Sequence, residues 1–326
     1  MRIRKIIALG AAALLALGVM SGCTTKDGDD GTTGGDGTKY TIGMANLYLG
    51  GPYFVGMRKA VVENGTALGW DVQVSDAGGD ADKLLADVEN FIAKGVDAIV
   101  ISGAWLNDFP AALDAAEEAG IPVVLVDRLC SSENFTAWIG PDNEEIGKND
   151  GQFIVEQLPN GGVAVIIKGG PADNTIGIAR TKGVTDALKA AGNFTIEEAT
   201  EFGDWSSDGG KSVMENMLAK LPKIDVVFCE NDSMCLGAQS AVADAGRSDE
   251  MFFAGVDGQN EAIQEILKGT NYLVTGYNDS IVIGGIAIDT LQLIFANKAY
   301  EKLNVVDSPM ITIDNAEEFK NAGIFD

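Results

Sequence analysis

A chain of 326 residues is long enough to bury two sizeable cores. It contains no histidine, which removes the commonest general base, the nucleophile pairs built on it and the commonest transition-metal ligand, so an enzyme, a metal site and a cofactor are all unexpected. A formal net charge of −25 repels nucleic acid and anionic lipid, which excludes a nucleic-acid partner.

Residues 1–22 read as an export signal. Arg2, Arg4 and Lys5 precede an apolar run from Ile6 to Val19, shorter than the roughly 20 residues a bilayer span needs. The run ends in Met20-Ser21-Gly22-Cys23, which resembles the lipobox of bacterial lipoproteins with Met in place of the usual Leu. That resemblance implies lipidation at Cys23. Residues 23–38 are then the lipid anchor and a flexible tether, small, polar and acidic with nothing to bury. The expected location is exported, lipid-anchored to the cell membrane and facing the periplasm or the cell exterior. No later run is apolar enough to span, since Ile281–Phe295 is interrupted by Asp289 and Gln292. Beyond Cys23 three cysteines remain, Cys130, Cys229 and Cys235, with no CxxC pair. They are read as small buried thiols, with a Cys229–Cys235 bridge as the alternative.

From Lys39 onward, short apolar runs alternate with helical patterns. Strands are expected at Thr41–Ala45, Asp71–Val74, Ala98–Ile101, Pro122–Val126, Val163–Lys168, Thr195–Ala199, Val226–Cys229, Met251–Val256 and Tyr272–Gly276. Most are apolar on both faces, as strands of a parallel sheet covered by helices must be. Between them, Leu84, Leu85, Val88, Phe91 and Ile92 mark one helix face before Gly95. Phe109, Leu113, Ala116 and Ala119 mark another before Gly120, and Met214, Met217, Leu218 and Leu221 a third before Pro222. Alternating βα units imply right-handed crossovers and doubly wound sheets. Nine strands or more exceed a comfortable open sheet, and residues 94–100 echo residues 222–228, so two similar lobes with a cleft between them are expected.

Ligands of open parallel sheets bind beyond the carboxyl ends of the strands. Gly50-Gly51-Pro52-Tyr53-Phe54 follows the first strand, Asp127-Arg128 the fourth, Asp204-Trp205 the sixth, Asn231-Asp232 the seventh and Asp257-Gly258 the eighth. Arg180 lies on the helix after Val163–Lys168. Carboxylates, an amide and guanidinium forks suit vicinal hydroxyls, and flat aromatics suit the C–H faces of a sugar ring. Asp127 and Asp257 balance Arg128 and Arg180, which favours a neutral guest, and no phosphate-binding glycine loop is present. Asp232 is the expected N-cap of its helix, and Trp205 lies in the cleft or on its rim.

At these residues the chain resembles the periplasmic sugar-binding family typified by the ribose- and galactose-binding proteins, from about Thr41 to Ile313. The matching motifs are Gly51-Pro52-Tyr53-Phe54 with Met57, residues 94–99, residues 119–124 with Asp127-Arg128, and residues 139–143. Further along they are Arg180 with Gly183, residues 230–234 with Leu236-Gly237-Ala238, and Gly255-Val256-Asp257-Gly258. The resemblance implies an α/β fold of two doubly wound parallel-sheet lobes joined by a three-strand hinge, the type I periplasmic binding protein fold. It implies an N-terminal lobe of 39–141 plus 279–304 and a C-terminal lobe of 142–278 plus 305–326, with crossings near Gly140–Asp142, Tyr277–Asp279 and Val305–Pro309. Tyr53, Phe54, Asp127, Arg128, Arg180, Trp205, Asn231 and Asp257 match the family's ligand-contacting positions. Asn278 matches a position usually held by Gln, with Tyr277 as the neighbouring option. One departure stands out: the family usually carries Asn or Asp where this chain has Gly51, so one hydrogen bond to a hydroxyl is missing and ribose is disfavoured.

The implied function is that of a monomeric solute-binding lipoprotein of an ABC importer. It would close on a neutral monosaccharide or polyol and deliver it to the permease, touching the membrane only through its lipid. The alternative is a binding lipoprotein that presents a sugar or signal to a membrane receptor. A transcriptional regulator would need an N-terminal DNA-binding motif and basic surface, and a sugar-modifying enzyme would need catalytic groups that this chain lacks.

Overall fold

The structure, a computed structural model, describes residues 39–103, 110–130, 132–170 and 175–323. The export signal, Cys23, the tether and Phe109 lie outside the described residues. In chain order the elements are β1 (Thr41–Asn46), α1 (Pro52–Ala67), β2 (Asp71–Asp76), α2 (Ala81–Lys94), β3 (Ala98–Ser102), α3 (Pro110–Glu118), β4 (Val123–Val126) and β5 (Ala137–Pro141). There follow α4 (Asn143–Gln157), β6 (Gly162–Lys168), α5 (Ile176–Ala191), β7 (Phe194–Phe202), α6 (Ser207–Lys220), β8 (Val226–Cys229) and α7 (Asp232–Asp244). The chain continues through β9 (Phe252–Asp257), α8 (Asn260–Leu267), β10 (Tyr272–Tyr277), α9 (Ser280–Phe295), β11 (Leu303–Val306) and β12 (Met310–Thr312).

Local sequence explains where these elements start and stop. Asp80 caps α2 by accepting from the Asp82 and Lys83 amides, and Gly95 ends it in the left-handed region. The Asp142, Ser206, Asn231 and Asp279 side chains cap α4, α6, α7 and α9 in the same way. Among the described residues no helix is long and apolar enough to cross a membrane.

The strands form two six-stranded sheets. The first runs β11-β5-β4-β3-β1-β2 and is parallel throughout. The second runs β12-β10-β9-β8-β6-β7 and is parallel except for β12, which lies antiparallel to β10. Because successive side chains along a strand face opposite ways, each sheet feeds two cores. In the first sheet Ala45, Ile99, Ile101 and Leu125 meet Leu84, Val88, Phe91 and Leu113 of α2 and α3. On its other face Met44, Val100 and Val124 meet Met57 and Val61 of α1 and Ile283 and Leu291 of α9. In the second sheet Val165, Val227 and Phe253 pack on α6, α7 and α8, while Ala164, Ile166, Phe228 and Ala254 pack on α4 and α5. These are the two doubly wound lobes. The chain passes between them after β5, after β10 and after β11.

The structure departs from the sequence reading at several points. β5, β11 and β12 were outside the nine expected strands. β5 mixes Trp, Gly and Pro, while β11 and β12 have four and three residues with half-exposed patterns, so none shows a clear apolar run. The buried face of α3 is Ala112, Leu113 and Ala116, and Ala119 lies exposed beyond the helix end. Cys229 and Cys235 are joined in a disulfide and are not free thiols. The β8–α7 turn folds back and brings their Cα atoms to 5.4 Å. Cys130 is the free buried cysteine among the described residues. Finally, Asn231 is the N-cap of α7, and Asp232 is its first helical residue.

Candidate functional site

The carboxyl ends of both sheets open onto one cavity of about 400 Å³. All nine expected residues line it: Tyr53, Phe54, Asp127, Arg128, Arg180, Trp205, Asn231, Asp257 and Asn278. Tyr53 and Phe54 stand in the first turn of α1, their rings edge to face. Asp127 and Arg128 leave the end of β4, and Asp257 is the last residue of β9.

Several of these positions hold unusual backbone. Asp127, Asp204, Trp205 and Asp257 all have positive φ, and Asn297 is the one other non-glycine that does so among the described residues. Such conformations cost of order 1–3 kcal/mol each and persist only where the surroundings impose them. At Asp127 the amide donates to the Ile139 carbonyl, and the Trp138 indole donates to the Asp127 carbonyl at 3.2 Å. At Asp257 the carbonyl accepts from the Asn278 amide.

The polar groups form a connected network across the cleft floor. The Tyr53 hydroxyl donates toward Asp127 Oδ1 at 3.0 Å and Asn278 Oδ1 at 3.2 Å. Asn278 Nδ2 donates to Asp257 Oδ1 at 3.2 Å, and Arg180 Nη1 pairs with that same oxygen at 3.1 Å. Asn278, and not Tyr277, thus faces the cavity; Tyr277 packs on Phe319 and bonds Asp279. Arg128 Nε lies 3.8 Å from Asp127 Oδ2. Burial pushes the Asp257 carboxyl up to about 6, with Arg180 opposing. Burial, reinforced by the Asp127 and Asp257 charges, pushes the Tyr53 hydroxyl well above its ordinary value, so it acts as a neutral donor.

Behind this wall lies a second layer, in which the sequence reading gave Glu230 no role and Asp232 only that of a helix cap. The Glu230 carboxylate accepts from the Gly169 amide at 2.6 Å and the Thr181 hydroxyl at 2.6 Å, while its carbonyl accepts from Arg180. Asp232 accepts from the Tyr272 and Thr275 hydroxyls and the Gln259 amide. Burial and the nearby Asp257 charge nonetheless push Asp232 up to about 8. The sequence reading also missed Tyr48, Ile176, Ser206, Ser207, Ser233 and Gln259, which line the same cavity. Most of these adjoin an expected residue at a strand-to-helix turn, so extending each turn by one or two positions would have found them.

The buried acids of this wall, Asp127 and Asp257, are tied to arginines, an amide and a tyrosine, which holds them as fixed hydrogen-bond acceptors. Comparison with known proteins supplies the family. The Periplasmic binding protein domain family matches residues 42–299. The chain is 27% identical over 298 residues to the ribose import binding protein RbsB of Bacillus subtilis, covering 90% of this chain and 95% of that one. An ABC transporter periplasmic solute binding protein from Actinobacillus succinogenes with bound D-allose superposes with a TM-score of 0.78 at 26% identity, covering 86% of this chain and 99% of that one. A solute binding protein from Bacillus halodurans with bound myo-inositol gives 0.80 at 25% identity, covering 88% and 99%. With a family match across most of its length and two doubly wound lobes that open onto one cleft, this chain belongs to the periplasmic binding proteins of type I, a sugar-binding and non-enzymatic family.

Proposed function

We propose that the chain is the solute receptor of an ABC importer and that it closes around one neutral monosaccharide or polyol. The observation that carries this is the convergence of carboxylates, guanidiniums, amides and aromatic rings from both lobes on one cavity. Among the buried charges of its lining, Asp127 and Asp257 offset Arg128 and Arg180, so a charged guest would leave one charge unbalanced in a poorly solvated site. Hydroxyl groups both donate and accept, and can satisfy acids, amides and arginines together.

The lobes keep the bounds expected from sequence except at the last passage, which follows Val306 and not residue 304, because β11 pairs with β5 as far as Val306. A guest held by both lobes makes contacts in the closed form that the open form lacks, so binding shifts the population toward closure. The closed monomer is the form handed to the permease. Lipid on Cys23 holds the protein at the membrane, and the acidic tether lets the lobes work in water.

A thermal-shift screen of pentoses, hexoses, inositols and linear polyols tests the reading. A binder present at 100 times its Kd adds about 2.7 kcal/mol of stability by mass action. A screen in which only charged sugars or amino acids raise Tm would refute it.

A further inference from the structure

The cavity, of about 400 Å³, lies within the ordinary range of small-molecule sites, about 300–1,000 Å³, and one glycine shapes its wall. Gly51 precedes α1 with φ −102° and ψ 142°, a backbone any residue adopts. A Cβ placed on it would lie 3.7 Å from Phe54 Cδ2 and 4.0 Å from Tyr48 Cε1, ordinary contact distances. A Cβ therefore fits at position 51, and its absence leaves a recess between two rings that both line the cavity.

The second lobe adds polar capacity that the nine expected residues do not use. Ser233 Oγ donates to Gln259 Oε1 at 2.8 Å, which leaves the Gln259 amide N–H groups available. The Ser207 hydroxyl also lines the cavity and is not engaged by another described residue. Within the core network, by contrast, Asn231 is committed on both sides, to the Met234 amide and the Trp205 carbonyl.

We infer that the guest is a neutral polyhydroxy compound of hexose size or larger, and that Gly51 sets this size preference by leaving the Tyr48–Phe54 recess empty. The inference rests on the sugar-binding reading and narrows it. A pentose would leave the recess to water and the Gln259 and Ser207 groups without a partner from the guest, whereas a larger guest fills the one and bonds the others.

Titration calorimetry on the whole exported chain tests it, with D-ribose and L-arabinose against D-allose, D-galactose, myo-inositol and maltose. At least one of the larger compounds should bind ten times more tightly than either pentose. Gly51→Asn, whose Cβ meets only ordinary contacts, should weaken that compound at least tenfold while leaving pentose affinity unchanged or improved. Gly51→Ser should fall between. Tighter pentose binding by the natural chain overturns the inference alone, as does a size preference unmoved by both variants with their unliganded Tm retained. Failure of every compound to bind overturns the sugar-binding reading and the inference with it.

Discussion

The guanidinium of Arg128 lies 5.7 Å from the centroid of the Trp205 ring. Arg128 leaves β4 of the first sheet, and Trp205 follows β7 of the second, so the pair spans the cleft. Cation–π attraction of this kind contributes about 0.5–2 kcal/mol, more when water is excluded. The pair helps hold the lobes together, and each member also walls the cavity.

Arg128→Ala should therefore weaken sugar binding at least tenfold, as should Asp257→Ala. Trp205→Ala should do the same and raise the open population. Calorimetry measures the affinity, and small-angle scattering with and without guest measures the closure. Unchanged affinity in both the Arg128 and Asp257 variants would mean the guest sits elsewhere.

Trp205 has its own support. A Cβ at Gly169 would overlap the Trp205 indole, so the ring lies flat against bare backbone there. Gly169→Ala should push the indole from its place, lower affinity by about tenfold or more and shift Trp fluorescence. Glu230→Gln acts on the same wall, because one of its carboxylate oxygens bonds the Gly169 amide and the other the Thr181 hydroxyl. The amide oxygen can keep the Gly169 N–H while the NH2 donates to the Thr181 oxygen, so the loss should be that of charge assistance, about 1 kcal/mol of stability.

Binding should depend on pH through Asp257. Its carboxyl titrates near 6 in the folded protein, above the ordinary 3.8, because burial disfavours the charge. Guest hydroxyls donate best to the ionised form. Affinity should therefore fall as pH drops through about 6, by up to roughly tenfold per unit. Stability of the free protein runs the other way: a raised pKa favours the native state below 3.8 and loses that contribution as pH rises toward 6. Asp257→Asn, which cannot ionise, should abolish this pH dependence of both binding and stability. Denaturant titrations at pH 5 and 7.5 check both signs.

The Cys229–Cys235 disulfide closes a short loop that contains Asn231. Chain-entropy reasoning gives about 2 kcal/mol for a loop of this length. The double variant Cys229→Ser with Cys235→Ser should lower Tm by several degrees. It should also loosen the turn that places Asn231, which calorimetry reads as weaker binding.

Much of this arrangement was legible in the sequence. The apolar runs located nine strands, because a strand covered by helices on both faces must be apolar throughout. The polar residues after those strands located the cavity, since parallel strands all end on the same side of a sheet. Two short edge strands, β11 and β12, escaped for the opposite reason, since both are part-exposed and leave no apolar signature, and β5 escaped because Gly and Pro interrupt its run. The pairing of Cys229 with Cys235 depends on how tightly one turn folds, and Glu230 works from behind the wall. Neither has a local pattern to betray it.

The three passages between lobes bear on how the protein is made. One face of the first sheet is covered by α9, whose Ile283, Ala287, Ile288 and Leu291 pack on it, and its edge is completed by β11. Both elements come from the last fifty residues of the chain. During synthesis that face is covered only by α1 while the whole of β6 to β10 emerges. The earlier lobe therefore finishes last, and a polypeptide truncated before residue 280 would expose an apolar sheet to aggregation.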